Sequence, residues 1–157
     1  MNVVELKCNN CYISMRHWLL LHYTLPSSPS ARRVYIWRKL RRLGAILLNE
    51  SVWVLPDTPR TAEQFQWLSV EILELKGDAY LWRSDSFFEG QENSLVEKFT
   101  KQTDKSYEVL LKRINGKNPD LAELSRQYQQ IANGDYFHSR LGKQAVEKLI
   151  SLRGEKS

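Results

Sequence analysis

The sequence predicts an α+β fold, and two observations lead to this class. Over about 70 residues, short apolar runs alternate with segments of helical periodicity in the order strand, helix, strand, strand, helix, strand. From residue 87 onward the pattern is helical alone. We therefore expect an irregular segment at 1–14, a ferredoxin-like βαββαβ sheet-and-helix core at 15–86, and a helical C-terminal extension of three helices at 87–157.

A strand and a helix begin the predicted core. Residues 18–23 form a dense apolar run, which is typical of a buried strand. Residues 30–43 have the spacing of an amphipathic helix, with Ser28 or Ser30 as its N-cap and Gly44 as its C-terminal stop. The apolar stripe of this helix repeats at i, i+4 and i+7, through Ile36, Leu40 and Leu43.

Two strands, a second helix and a fourth strand complete the core. Short apolar runs at 45–48 and 52–55 predict the two strands, joined by a tight connection. A helix is expected at about 61–75, ending at Gly77. Residues 78–84 alternate between two faces, with Ala79 and Leu81 on one and Tyr80 and Trp82 on the other, and this alternation predicts the last strand. The stripe of the second helix consists of Phe65, Leu68, Ile72 and Leu75.

In the extension, the apolar spacing predicts helices at 95–114, 120–132 and 136–152. Breaks rich in Asn and Gly separate them. Aromatic residues are expected mostly in the interior, and for Tyr80 and Trp82, which share a strand face, core or dimer packing is favoured over base stacking. The tryptophans expected in the core are Trp18, Trp37, Trp53 and Trp67.

Charge is distributed unevenly along the chain, whose net charge is +5. Residues 1–43 carry eight basic groups and one acidic group, whereas residues 44–99 carry four basic and ten acidic groups. Residues 100–157 carry eleven basic and seven acidic groups. Such asymmetry favours an anionic partner for the first segment.

The basic residues of the first predicted helix suggest a surface that contacts double-stranded DNA. Arginine suits phosphate because its planar guanidinium donates two parallel hydrogen bonds. Two alternatives remain open: a solvated helix face that pairs with acids of the second helix (Glu63, Glu71, Glu74), or a dedicated anion or protein partner. The candidate DNA-binding residues are Arg32, Arg33, Tyr35, Arg38, Lys39, Arg41 and Arg42.

Other classes of function find no support in the sequence. No apolar run approaches the length of a membrane span, and no secretory signal pattern precedes the first strand, so we expect a cytoplasmic protein. We find no catalytic triad pattern, no Gly-rich phosphate loop and no paired metal carboxylates, and we expect neither an enzyme nor a bound cofactor.

Cys8 and Cys11 form the one Cys-x-x-Cys pair of the sequence. Such a pair can be half of a zinc site, a redox-sensitive pair, or neither. No second cysteine pair accompanies it, so a metal site is the weakest of these interpretations. Reaction with an oxidising effector is the functional alternative that we retain.

Three segments together resemble the N-terminal domain of the ChrB chromate-resistance proteins. They are a strand ending in Leu-Pro at 19–26, an Arg-rich helix containing Trp and ending in Leu-Gly-Ala at 30–45, and Ser-Val-Trp-Val-Leu-Pro at 51–56. The resemblance extends over roughly residues 15–150. It implies a transcriptional regulator of chromate-efflux genes that responds to chromate. Larger members carry a second, C-terminal chromate-resistance domain, which we do not expect within these 157 residues.

The core also looks like the middle domain of PaaX-type repressors and the small integration-complex subunit of CRISPR systems. In that subunit an Asp follows the first strand, whereas the matching stretch here, residues 23–26, contains no acid. A metal-dependent nuclease needs such a carboxylate, so it ranks last among the hypotheses.

We expect a homodimeric DNA-binding regulator, for which the resemblance gives chromate as the candidate effector. For chromate, Arg32 and Arg33 near the start of the helix form a candidate oxyanion cradle, and Cys8 and Cys11 a candidate redox pair. The alternative is a non-catalytic protein-interaction or oxyanion-sensing module that does not bind DNA directly.

Overall fold

The computed structural model describes residues 17–155, and it has the predicted α+β architecture. The segment predicted at 1–14 lies outside the described residues. The elements in chain order are β1 (Trp18–Thr24), α1 (Ser30–Arg42), β2 (Ile46–Asn49), β3 (Val52–Pro56), α2 (Pro59–Glu74), β4 (Asp78–Ser84), α3 (Glu89–Ile114), α4 (Leu121–Ala132) and α5 (Arg140–Glu155).

The four strands form one antiparallel sheet in the order β2-β3-β1-β4. Leu21 of the central strand β1 lies opposite Trp53 on one side and Leu81 on the other. Each helix of the core connects two strands of this sheet, as the ferredoxin-like prediction requires. No helix in the described part of the chain is long and apolar enough to cross a membrane.

Helices α1 and α2 cover one face of the sheet. Strand side chains alternate between faces, so Leu19 and Leu21 lie on this face. The predicted helical stripes supply the opposing residues, and Ile36, Leu40 and Ile72 are completely buried. Burial of these stripes fixes the rotation of both helices, and therefore decides which side chains face outward.

The two ends of α1 differ in how well the sequence predicted them. Helix α1 begins at Ser30, and its N-cap is Pro29, which makes no side-chain cap hydrogen bond; the predicted serine cap is therefore wrong. The C-terminal stop at Gly44 is confirmed, since its φ is +76°. The amide of Gly44 donates to the carbonyl of Arg41, and that of Ala45 to Leu40, which is a Schellman motif.

Gly77 acts differently from the predicted helix stop. The residue with positive φ after α2 is Lys76, at +64°. A Cβ at Gly77 would lie 2.3 Å from the carbonyl oxygen of Thr24, so glycine is needed here for the close approach of two backbones.

The extension packs on the second face of the sheet and has a core of its own. Trp18 of β1 stacks on Phe99 of α3, with ring centroids 5.8 Å apart. Phe99 also contacts the rings of Tyr136 and Phe137, which precede α5. The separate core of the three helices consists of Tyr107, Leu110, Ile114, Leu124, Ala145 and Leu149.

Two predicted helix starts in the extension are displaced. Helix α3 begins at Glu89, before the predicted residue 95. Helix α5 begins at Arg140, after the predicted residue 136, because the preceding residues form a turn. In that turn the Asp135 carboxylate accepts a hydrogen bond from the Ser139 amide, and His138 has a φ of +53°.

Trp18 and Trp53 are buried, as the sequence predicted. The same prediction is wrong for Trp37 and Trp67, which are 49% and 66% exposed. Both lie on helices beside the buried stripe, where a rotation of 100° per residue moves a side chain from the core to the rim. A local apolar pattern cannot resolve this difference.

Candidate nucleic-acid interface

The inner face of α1 packs against the core, and its basic residues lie mostly on the outer face. Ile36 and Leu40 are completely buried, so the helical period turns most of the intervening cations outward. Arg33, Arg38, Arg41 and Arg42 are exposed, whereas Arg32 and Lys39 are half-buried at the margins. The candidate residues therefore differ in exposure, and their partners divide them further.

On the side that faces α2, two candidates are held by one carboxylate. The Lys39 Nζ lies 2.6 Å from both oxygens of Glu71, and the Tyr35 hydroxyl donates to the same carboxylate over 3.3 Å. The ammonium also lies 4.7 Å from the Tyr35 ring centroid. The hydrogen bond to Glu71 raises the pKa of Lys39, with a smaller contribution from Tyr35. Pairing with the acidic second helix is thus seen for Tyr35 and Lys39.

Arg32 is engaged with the end of α2. Its Nη1 donates to the carbonyl oxygen of Leu75 over 3.3 Å. Arg33, the other half of the predicted oxyanion cradle, is exposed on the next position of α1, about 100° around the helix axis. Arg32 is thus held toward α2, whereas Arg33 makes no side-chain hydrogen bond or ion pair among the described residues.

On the side that faces α3, Arg41 joins two elements. Its Nη1 donates to Gln102 Oε1 over 2.8 Å, and its guanidinium carbon lies 5.9 Å from the Trp37 ring centroid. Gln102 in turn donates through Nε2 to the carbonyl of Gly44 over 3.1 Å. The C-terminal end of α1 is therefore tied to α3 by side-chain hydrogen bonds.

Arg33, Arg38 and Arg42 have no hydrogen-bond or ion-pair partner within residues 17–155. Arg38 and Arg42 are four positions apart, which places them on one strip of the helix, with the exposed Val34 in line with Arg38. An arginine without a carboxylate partner can donate to phosphate oxygens and need not break an existing pair. These are the strongest phosphate-contacting candidates of the predicted set.

A row of lysines on α3 was not among the residues predicted from the sequence. Lys98, Lys101 and Lys105 are all exposed and follow each other at i, i+3 and i+7, so they share one helix face. The signal was present in that spacing. It was masked because Lys98 falls in the acidic segment 44–99, and Lys101 and Lys105 fall in residues 100–157, which also carry seven acidic groups.

Cys8 and Cys11, the candidate redox pair, lie outside the described residues. Over residues 17–155, no group of three or more His, Cys, Asp or Glu side chains is arranged so that it could hold a metal ion. The exposed strip of α1 and the lysine row of α3 offer positively charged hydrogen-bond donors.

Comparison with known proteins agrees with the resemblance found in the sequence. The family described as Protein ChrB, N-terminal matches residues 33–116, which is more than half of the chain. A relative named Protein ChrB, from Cupriavidus metallidurans, is 28% identical over 120 residues. This match covers 74% of the present chain but only 37% of the relative, so the chain spans well under half of that protein. No solved structure matches significantly. The extent of the family match shows that the chain belongs to the family of ChrB N-terminal domains.

Proposed function

We propose that this chain is a DNA-binding regulator of the chromate-resistance type, which contacts the phosphates of duplex DNA through α1. The observation that carries the proposal is the exposed strip of α1 with Arg38 and Arg42, which have no partner among the residues described. Membership of the ChrB N-terminal family supports the regulatory part of the proposal.

The mechanism that we propose is electrostatic docking through arginine. Each guanidinium replaces condensed counterions on the duplex, so affinity falls with increasing salt. Phosphate contacts set the position and orientation of the protein, and sequence is read separately at base edges or through DNA shape. Arg33, Arg38 and Arg42 are free to make such contacts, whereas Lys39 would first have to leave Glu71.

The proposal includes a binding role without catalysis and chromate as the effector. Chromate is a tetrahedral dianion that guanidinium groups can hold, and Arg33 is exposed near the start of α1. It also includes a homodimer, which would present two basic helices to a palindromic site. Tyr80 and Trp82, 55% and 60% exposed on the edge strand β4, offer a surface for that pairing, and sedimentation analysis would measure the oligomeric state.

Fluorescence anisotropy tests the central proposal. A labelled duplex from the region upstream of the gene would be titrated with protein over a salt series, beside a scrambled duplex. The variant Arg38→Gln/Arg42→Gln should bind more weakly. Its slope of log binding constant against log salt concentration should also be shallower, by about 0.9 for each phosphate that the protein no longer neutralises. The matched control Arg140→Gln/Lys143→Gln removes the same charge from exposed positions at the start of α5.

Several outcomes bear on the proposal. Absence of binding to either duplex at low salt would overturn it. Equal slopes for the α1 variant and the α5 control would show that α1 is not the contact surface. Release of the upstream duplex by chromate, with no release by sulfate, would support chromate as the effector.

A protein-interaction role is the second candidate, and one observation favours it. Helix α2 exposes three large apolar side chains, Trp67, Val70 and Leu73, at 66%, 46% and 53%. If the protein binds no DNA, protein association would be tested at this face of α2. Association of the wild type would be compared with that of Trp67→Ser.

A further inference from the structure

A second basic surface lies in a cleft between α1, α3 and α4. The cleft has a volume of about 720 Å³. Its charged lining residues are all basic, and glutamine side chains from α3 and α4 supply most of its other polar groups. The basic residues that line it are Arg41, Lys98, Lys101, Lys105 and Arg113.

Of these five cations, two are in ion pairs, Arg41 donates to Gln102, and two have no partner among the described residues. Lys101 lies 3.0 Å from Glu97, and Arg113 lies 2.8 Å from Glu123, both in exposed ion pairs. Exposed pairs of this kind are weak, and a phosphate can compete with the carboxylate for the cation. Lys98 and Lys105 have no ion-pair or hydrogen-bond partner in the described part of the chain. The cleft therefore keeps an excess of positive charge.

The cleft is continuous with the basic strip of α1. A neighbouring cavity of about 570 Å³ is lined by Arg41 and Arg42 of α1 and by Gln102 of α3. Arg41 and Gln102 also line the first cleft. Arg42 belongs both to this second cavity and to the exposed strip of α1, so cations continue from one surface to the next.

We propose that the lysine row of α3 is a second phosphate-contacting surface, so that one duplex bridges the α1 strip and the cleft. This inference rests on the proposed function, and it adds Lys98 and Lys105 to the DNA interface. Neither residue was among the candidates found in the sequence.

The spacing of the lysines favours a polyanion over a single small anion. Lys98 and Lys105 are seven residues apart, which corresponds to about 10 Å along a helix axis. A single tetrahedral oxyanion would contact both ammonium groups only if the two side chains bent toward one point on the helix surface. Duplex DNA carries one negative charge per about 1.7 Å of its axis and can satisfy both at once.

The test uses three double variants of the full chain in the same anisotropy titration. Lys98→Gln/Lys105→Gln removes the two unpaired lysines of the cleft, Arg38→Gln/Arg42→Gln alters the α1 strip, and Arg140→Gln/Lys143→Gln is the charge-matched control on α5. All six side chains are exposed, so the variants should retain the wild-type thermal unfolding curve by circular dichroism, which would be checked first.

In the cleft variant, we expect the slope of log binding constant against log salt concentration (the salt slope) to be shallower by about 0.9 for each lysine. This is the change for a cation that neutralises one duplex phosphate. The α1 variant should lower it independently, and the control should leave it unchanged. If the cleft variant behaves as the control does while the α1 variant weakens binding, the cleft inference is overturned and the proposed function stands. If the wild type does not bind duplex at low salt, the proposed function fails, and the inference fails with it.

Discussion

The two flanks of α1 have opposite electrostatic surroundings. On the α2 flank, Lys39 and Tyr35 converge on Glu71, so the positive charge there is neutralised locally. On the α3 flank, Arg41 meets a neutral glutamine, Gln102, and opens onto a cleft whose charged lining is wholly basic. One helix thus has a neutralised side and a basic side. The neighbours of a charged helix therefore decide where its charge can bind an anion.

The largest expected effect concerns the packing that holds the basic flank together. Phe99 is 1% exposed and stacks on Trp18, so Phe99→Ala leaves a cavity between the sheet and α3. The free energy of unfolding should fall by about 3–5 kcal/mol, as for other buried Phe→Ala changes. Urea denaturation measures it. The exposed Trp67→Ala, on α2, serves as a control and should change stability far less. A small effect of Phe99→Ala would mean that α3 and the sheet are not held together by this contact.

A second prediction concerns the turn between α1 and β2, which contacts the extension at Gly134. Gly44 has a φ of +76°, and a Cβ there would lie 3.2 Å from the Cα of Gly134. Gly44→Ala should therefore lower the free energy of unfolding by about 2 kcal/mol, through left-handed strain and the close contact. The control is Gly90→Ala in α3, where a Cβ meets nothing within 4 Å and alanine favours the helix. The explanation by strain at Gly44 would be contradicted if urea denaturation showed Gly44→Ala to be no less stable than Gly90→Ala.

The sequence could predict the order of the elements and the outward direction of the cations. It succeeded at Ile36 and Leu40 because a buried stripe repeats with the helical period. It offered pairing with Glu63, Glu71 or Glu74 of α2 only as an open alternative, and it could not single out Lys39 and Glu71, since that choice depends on how α1 and α2 lie side by side. The lysine row of α3 was visible in the spacing, but its position beside Arg41 depends on how the extension folds back onto the core. Tertiary contact, and not local pattern, assigned each cation to its flank.

Alkaline pH should weaken the α3 flank through Tyr136. Its hydroxyl donates to the carbonyl of Leu43 over 2.5 Å, and burial raises its pKa to about 12 from an ordinary value of 10.0. The contribution of Tyr136 to stability is therefore complete below pH 10 and is lost as the pH rises towards 12, because the unfolded chain releases this proton first. Within that window the loss is about 1.4 kcal/mol per pH unit for each such group.

Chemical denaturation of wild type and Tyr136→Phe, at pH values from about 9 to about 12, measures this effect. The upper limit is the value to which the pKa of Tyr136 is raised. The variant lacks the hydroxyl, so its stability should decline less steeply, although it starts lower by about 1 kcal/mol for the missing hydrogen bond. Tyr107 also has a raised pKa through burial, so a residual decline is expected in the variant. Identical slopes for the two proteins would contradict the assignment to Tyr136.

The smallest expected effect tests the contrast between the flanks directly. Glu71→Gln removes the carboxylate that holds Lys39 and Tyr35, so the α2 flank should become a basic surface like its counterpart. If DNA binds at α1, the salt slope should then steepen by up to about 0.9, for the one lysine released. Stability should fall by no more than about 1 kcal/mol, because the pair is partly exposed.

Glu63→Gln is the matched control, since it removes the same charge from an exposed position of α2. A general loss of negative charge would strengthen binding equally in both variants through the long-range field. Release of Lys39 would strengthen it more in Glu71→Gln, and Lys39→Gln in that background should reverse the extra gain. Equal behaviour of the two variants would mean that pairing with Glu71 does not restrain Lys39. The flanks would then differ through the summed charge of their neighbours alone.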